Sequence, residues 1–249
     1  MDIEYASLSD PGRVRENNED SCSGIIPDGG DARAESGALF IVADGMGGHR
    51  GGEIASGLAV RTIAERYYAS QGGATEALLS AFSAANAAIF GEASADATLM
   101  GMGTTCTALA LRDGEAFVAH VGDSRAYLVR GSDVRQITMD HSLVGEMVRS
   151  GIISDEDART HPKRHVITRS LGVQEEIETD TLKTPLPVQA GDAFVLCSDG
   201  LTSYVEADEI RGVVGAEPPA AACKSLVALA NNRGGRDNIT VLVIAVRQP

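Results

Sequence analysis

Leu39-Phe40-Ile41-Val42-Ala43-Asp44-Gly45 is a run of five apolar residues that stops on an aspartate and a glycine. The run is short, rich in branched and aromatic side chains, and closed by turn residues, so it reads as a buried strand. Three more segments share its grammar: Phe117-Val118-Ala119-His120-Val121-Gly122-Asp123, Ala193-Phe194-Val195-Leu196-Cys197-Ser198-Asp199-Gly200 and, in reverse order, Asp237-Asn238-Ile239-Thr240-Val241-Leu242-Val243. A carboxylate where such a strand ends is fixed by the sheet yet reachable from outside it. Several at one end of a sheet repel each other unless cations lie between them. The pattern therefore predicts a site for hard divalent metals.

Working outward, strands are predicted over 3–8, 21–26, 39–43, 104–111, 115–121, 125–130, 134–138, 177–184, 193–198 and 239–246. Helices are predicted over 53–69, 75–95, 142–150, 154–159, 206–213 and 218–231. The first helix would turn Ile54, Leu58, Ile63 and Tyr67 inward, and the second Leu78, Phe82, Ala85 and Ile89. Arg112-Asp113-Gly114-Glu115 is a hairpin signal. Meandering strands interrupted by pairs of helices favour antiparallel sheets with helices layered outside, an α+β arrangement. No Pro/Ser-rich linker and no internal repeat divides the chain, so residues 1–249 read as one domain, with a polar insertion at about 139–170.

A chain of 249 residues can bury a full core. Its net charge of −14 argues against a nucleic-acid backbone or an anionic membrane as partner. Cys22, Cys106, Cys197 and Cys223 form no CxxC pair; Cys106 and Cys197 fall inside apolar strands, where cysteine is a small core residue. Reduced structural cysteines, the absence of a basic and apolar leader after Met1, and the lack of an apolar stretch near the ~20 residues of a membrane helix predict a cytoplasmic protein. Nothing in the sequence argues for an oligomer.

The glycine-rich loop Asp44-Gly45-Met46-Gly47-Gly48-His49 lies between a strand and a helix. It does not fit the nucleotide fingerprint, because Arg50 stands where the third glycine would be, and no Gly-Lys-Ser/Thr follows as in a P-loop. With Val42-Ala43 before it and Arg50-Gly51-Gly52-Glu53 after it, the loop resembles that of the bacterial branch of the PP2C (PPM) family of metal-dependent protein Ser/Thr phosphatases. The resemblance extends in order along nearly the whole chain. Val14-Arg15-Glu16-Asn17-Asn18-Glu19-Asp20, Gly103-Thr104-Thr105, Gly122-Asp123-Ser124-Arg125, Cys197-Ser198-Asp199-Gly200-Leu201 and Gly235-Arg236-Asp237-Asn238 each resemble a motif of that family.

The resemblance implies an α-β-β-α sandwich of two antiparallel sheets flanked by helix pairs. It implies hydrolysis of phosphoserine and phosphothreonine on proteins by a metal-bridging water, in opposition to a bacterial Ser/Thr kinase and its substrates. Two Mn²⁺ or Mg²⁺ ions would be held by Asp44, which bridges them, by the Gly45 carbonyl, and by Asp199 and Asp237, with Asp20 acting through coordinated water. Asp123, with Asp199, resembles the ligands of a third, weaker ion, and Arg15 the clamp on substrate phosphate. Oxygen-only ligands suit these cations rather than zinc, and an arginine fork can hold two phosphate oxygens. Where the animal and plant branch carries a histidine after Asp-Gly, this chain has Met46; His49 is either the general acid or a residue that packs the loop. Asp140 and Asn238 are expected to be structural, and His141, His161 and His165 to be exposed non-ligands, one of which could touch substrate. The insertion corresponds to the family's flap beside the active site.

Three alternatives are set against this expectation. A phosphatase of anti-sigma-factor antagonists would usually carry a sensor domain and often lack the Gly122-Asp123 pair. A catalytically silent phosphoprotein-binding relative would have lost metal carboxylates. A structural Ca²⁺ domain would show an EF-hand loop, and none is present.

Overall fold

The computed structural model describes residues 1–31, 33–47 and 51–248. Two antiparallel sheets stack face to face. One runs β1 (Asp2–Asp10), β12 (Ile239–Gln248), β11 (Ala193–Cys197), β7 (Arg125–Arg130), β8 (Asp133–Gln136). The other runs β10 (Leu186–Pro187), β6 (Glu115–Val121), β5 (Cys106–Arg112), β3 (Ala38–Met46), β2 (Asp20–Ile25), with β4 (Gly103–Thr104) on the end of β3 and β9 (Asp180–Thr181) on β6. Helices α1 (Gly51–Ala69) and α2 (Ala74–Ala95) cover the second sheet; α6 (Ala207–Ala216) and α7 (Pro219–Asn232) cover the first. Short helices α3 (Leu143–Arg149) and α4 (Asp155–Thr160) lie in the polar insertion, and α5 (Asp199–Thr202) follows β11.

This layering explains the unbroken apolar runs. Along β3, Leu39, Ile41 and Ala43 face α1 and α2, while Phe40 and Val42 face the other sheet. Strand β11 does the same, with Phe194 and Leu196 between the sheets and Val195 and Cys197 under α7. A strand buried on both faces has no polar alternation to show. The hairpin between β5 and β6 turns at Asp113 and Gly114, with φ of 53° and 78°, the left-handed pair that the Asp-Gly signal predicts.

Three expectations change. The buried stripe of α1 is Ala55, Ala59, Ile63 and Tyr67, whereas Ile54 lies at the surface. Small side chains let this helix approach the sheet closely, so alanine rather than isoleucine marks its inner face. The segment 177–184 is not a continuous strand: only Asp180–Thr181 pairs with β6, and the next pairing, Leu186–Pro187, follows Pro185 and includes Pro187, neither of which has an N–H to give a ladder. The strand expected over 104–111 is interrupted at Thr105, for a reason that belongs to the site.

Candidate active site

At one end of the sandwich, carboxylates from four places in the chain meet around a cleft of about 450 Å³. Asp44, Asp123, Asp199 and Asp237 line it, with Gly45, Glu19 and Arg15. Asp44 stands near the end of β3, directly across the ladder from Asp20 at the start of β2. Asp123 follows β6, Asp199 opens α5, and Asp237 precedes β12. Asp20 is buried behind Asp44 rather than at the cleft wall.

Each carboxylate is held by local geometry. The register of β4 and β5 on β3 is the same on either side of Thr105. At that joint Thr105 N donates to the Asp44 carbonyl at 2.9 Å, and Asp44 N donates to the Thr105 hydroxyl at 3.0 Å. The Thr104 hydroxyl also donates to the Asp44 carbonyl. The Asp44 backbone is thus locked while its carboxylate is left for the cleft. Ser198 donates from Oγ to Asp20 Oδ2 at 2.8 Å, which joins the end of β11 to the start of β2. Asn238 donates to the carbonyls of Pro11 and Asn17 and accepts from Glu19 N, so it ties β12 to the N-terminal loop. Asp140 accepts a forked pair of bonds from Arg125 and one from Gln136. Asn238 and Asp140 are therefore structural.

The electrostatics of this cluster are unfavourable by themselves. Burial, and then the charges of Asp20, Asp199, Asp123 and Asp237, push the Asp44 carboxyl well above the aspartate range. Burial raises Asp123 strongly and takes Asp20 up to about 7. Asp20 Oδ1 and Asp123 Oδ1 are buried and accept no hydrogen bond. Unpartnered carboxylate oxygens in a negatively charged setting fit hard divalent cations, which supply charge and accept oxygen ligands. Among the described residues no three acidic, histidine or cysteine side chains stand close enough together to hold a metal ion as they are placed. The carboxylates border an open cleft instead. Arg15 donates to Asp237 Oδ2 at 2.9 Å, and that bond holds the guanidinium above its ordinary pKa.

Sequence reasoning missed several contributors. Glu19 faces the cleft with its carboxyl raised by burial, and its carbonyl accepts from Gly45 N and Ser56 Oγ. Thr105 and Ser198 were visible only as members of short motifs. His141 is buried, against the expectation of an exposed residue, because it packs under the insertion against His120. His165 is exposed and lines the cleft, with Nδ1 3.3 Å from Asp199 Oδ2. His49 lies outside the described residues.

The sequence family described as "Protein phosphatase 2C" matches residues 13–221. The serine/threonine phosphatase stp of Listeria welshimeri is 38% identical over 247 residues, covering 95% of this chain and 93% of that protein. The crystal structure of the Mycobacterium tuberculosis serine/threonine phosphatase PstP/Ppp superposes with a TM-score of 0.88 at 37% identity, covering 99% of both chains. The catalytic domain of serine/threonine protein phosphatase PstP, solved in complex with two manganese ions, gives a TM-score of 0.83 at 37% identity, covering 98% of this chain and 97% of that one.

Proposed function

Because the chain belongs to the protein phosphatase 2C family, we propose a role for each polar group that its cleft presents. The protein is a metal-dependent phosphatase that hydrolyses phosphoserine and phosphothreonine on proteins. Asp44, the Gly45 carbonyl, Asp199 and Asp237 are the ligands of two Mn²⁺ or Mg²⁺ ions, with Asp20 behind them; Asp123 and Asp199 serve a third, weaker ion. The observation that carries this reading is the pair of buried, unpartnered oxygens on Asp20 and Asp123 beside a crowded Asp44.

When bound, the ions supply Lewis acidity toward the phosphoryl oxygens and acidify water toward neutral pH. The chain's own residues do the rest. Arg15 exchanges its bond to Asp237 for the phosphate dianion. Asp44, held through its backbone by Thr104 and Thr105, keeps a fixed carboxylate at the centre of the cleft. His49 is either the donor toward the leaving alkoxide or a residue that packs the loop, in which case solvent is the donor; His49→Ala compared with wild type across a pH–rate profile separates them.

The setting follows from the same reading. Residues 1–249 act as one monomeric domain in the cytoplasm, on phosphoproteins generated by a bacterial Ser/Thr kinase, with the 139–170 insertion influencing which are accepted. The net charge of −14 weighs against a nucleic-acid or anionic-membrane partner, and among the described residues no helix is long and apolar enough to cross a membrane. The deciding measurement is turnover of a phosphothreonine peptide with Mn²⁺ and after chelation. Loss on chelation and recovery on adding Mn²⁺ is expected; full activity in chelator would overturn the metal assignment.

A further inference from the structure

The insertion joins the sandwich through a neck whose two sides are zipped together. Leu143 N donates to the Val166 carbonyl and Thr168 N to the His141 carbonyl, each at 2.8 Å, with a bridge between Ser142 and Ile167. His141, at the base of this neck, also grips the turn that carries Asp123. Its backbone N–H donates to the Gly122 carbonyl at 2.7 Å, and its Nδ1 accepts from Gly122 N–H at 3.1 Å. One residue therefore holds both backbone polar groups of Gly122.

Gly122 needs such a grip. Its φ is +112°, and a Cβ there would lie 2.5 Å from Thr105, so the position excludes any side chain that could anchor it. The imidazole is fixed from its far side as well. Nδ1 accepts, so the ring proton sits on Nε2, which faces Asp180 Oδ2 at 3.2 Å. Asp180 is in turn held by Arg169, whose Nη1 donates to Oδ1 at 2.9 Å. Burial lowers the His141 pKa and favours this neutral form. His120 closes the floor, its ring centroid 4.9 Å from that of His141 and its Nε2 2.9 Å from the Gly122 carbonyl.

Asp123 is one peptide beyond Gly122 and is buried with an oxygen that no protein group meets, so its aim is set by the Gly122 backbone. We propose that His141 is a positioning residue that couples the neck of the insertion to Asp123, so that cation binding at Asp123 and the placement of the insertion are set together. The inference rests on the assignment of Asp123 to a cation. Asp123 does not touch the neck itself in any hydrogen bond given by the described residues; the link runs through Gly122.

The test uses the full chain and the variants His141→Ala, His141→Asn, His141→Gln and Asp123→Asn. An asparagine amide oxygen can stand where Nδ1 does, whereas a glutamine reaches the Nε2 position and leaves Gly122 N–H unmet. In metal-free protein, amide hydrogen exchange at Gly122 should accelerate in the Ala and Gln variants and stay protected in the Asn variant. Calorimetric titration with Mn²⁺ should show the weakest binding step reduced about tenfold or more in the Ala and Gln variants and within about threefold of wild type in the Asn variant. Asp123→Asn should lose the same step. If Asp123→Asn loses it but His141→Gln binds Mn²⁺ like wild type, His141 is merely structural and the inference is overturned. If Asp123→Asn binds normally, the assignment of Asp123 to a cation is what fails. Should His141→Ala not fold, the comparison of Asn with Gln decides, and equal loss in both overturns the coupling.

Discussion

Asp20 and Asp44 are direct cross-strand partners at the ends of β2 and β3, two carboxylates placed opposite each other on one ladder. Like charges in that position destabilise a sheet, and here both groups are also largely shielded from solvent by protein. The site is built against its own stability in the absence of cations, and its metal dependence and its folding are therefore linked.

Removing one of the repelling groups should separate stability from function. Asp44→Asn deletes the central charge while keeping the side-chain volume. In chelator its thermal midpoint should rise by a few degrees, since about 1 kcal/mol corresponds to roughly 2–4 °C for a chain of this size. Stabilisation by Mn²⁺ should shrink, and phosphopeptide turnover should fall by at least about a thousandfold. Scanning fluorimetry with and without Mn²⁺, beside the turnover assay, measures both. A variant that is less stable in chelator would contradict the repulsion argument.

The sign of the pH dependence follows from Asp20, whose folded-state pKa is raised from 3.8 to about 7, chiefly by burial. A carboxyl raised on folding favours the folded state in its protonated form. Its contribution is fully present below the ordinary aspartate range and is lost as pH rises through about 7. Metal-free wild type should therefore lose stability as pH rises from about 4 to about 7 and level off above that, by an amount on the order of a few kcal/mol at most, while Asp20→Asn should show a flatter profile across that window. His120 works in the opposite direction. Burial, reinforced by His141, takes it down to about 4, so its contribution is present above about 6.5 and lost as pH falls through 4. Urea midpoints of both proteins in chelator test this, because the His120 contribution cancels in their difference.

Arg15 donates to Asp237 across 222 positions of sequence, and its side chain is about half exposed. Its loss should cost binding more than folding, since exposed ion pairs contribute little to stability. Arg15→Ala should raise KM for a phosphothreonine peptide about ten- to a hundredfold with a smaller change in kcat. Arg15→Lys should recover only part of it, because an ammonium cannot form the planar fork. Steady-state kinetics at saturating Mn²⁺ gives the answer; an unchanged KM in Arg15→Ala would remove it from phosphate recognition.

Which parts of this arrangement could be read from the chain depends on whether the cause is local. Asp44, Asp123, Asp199 and Asp237 were legible because each closes or opens an apolar run, and strand ends at one edge of a sheet share a place in space. The turn at Asp113-Gly114 was legible because its dihedral angles demand those residues. The inner face of α1 was misread at Ile54, because hydrophobicity cannot say that Ala55 and Ala59 must be small for the helix to sit close. The strand predicted over 177–184 failed because its propensity was not matched by a partner beyond Asp180–Thr181. The roles of His141, Ser198 and Thr105 arise from contacts with residues 19, 178 and 61 positions away, which no periodicity carries.

Thr105 interrupts a ladder in order to hold two site segments at once. Its hydroxyl accepts from Asp44 N at 3.0 Å and shares a hydrogen bond of 2.7 Å with Ser124 Oγ, beside Asp123, in a fully buried position. Thr105→Val keeps the shape and deletes the hydroxyl, leaving a buried N–H and a buried hydroxyl without partners. That should cost about 1–3 kcal/mol per unmet group, so the urea midpoint should fall clearly. Because the two unmet groups flank Asp44 and Asp123, the Mn²⁺ concentration for half-maximal turnover should rise as well. Thr105→Ser keeps the hydroxyl and should restore the metal dependence, even though the missing methyl lowers stability through lost packing. A valine variant that unfolds earlier but requires no more Mn²⁺ would confine Thr105 to a role in the core, whereas recovery by serine alone would place its hydroxyl in the alignment of both carboxylates.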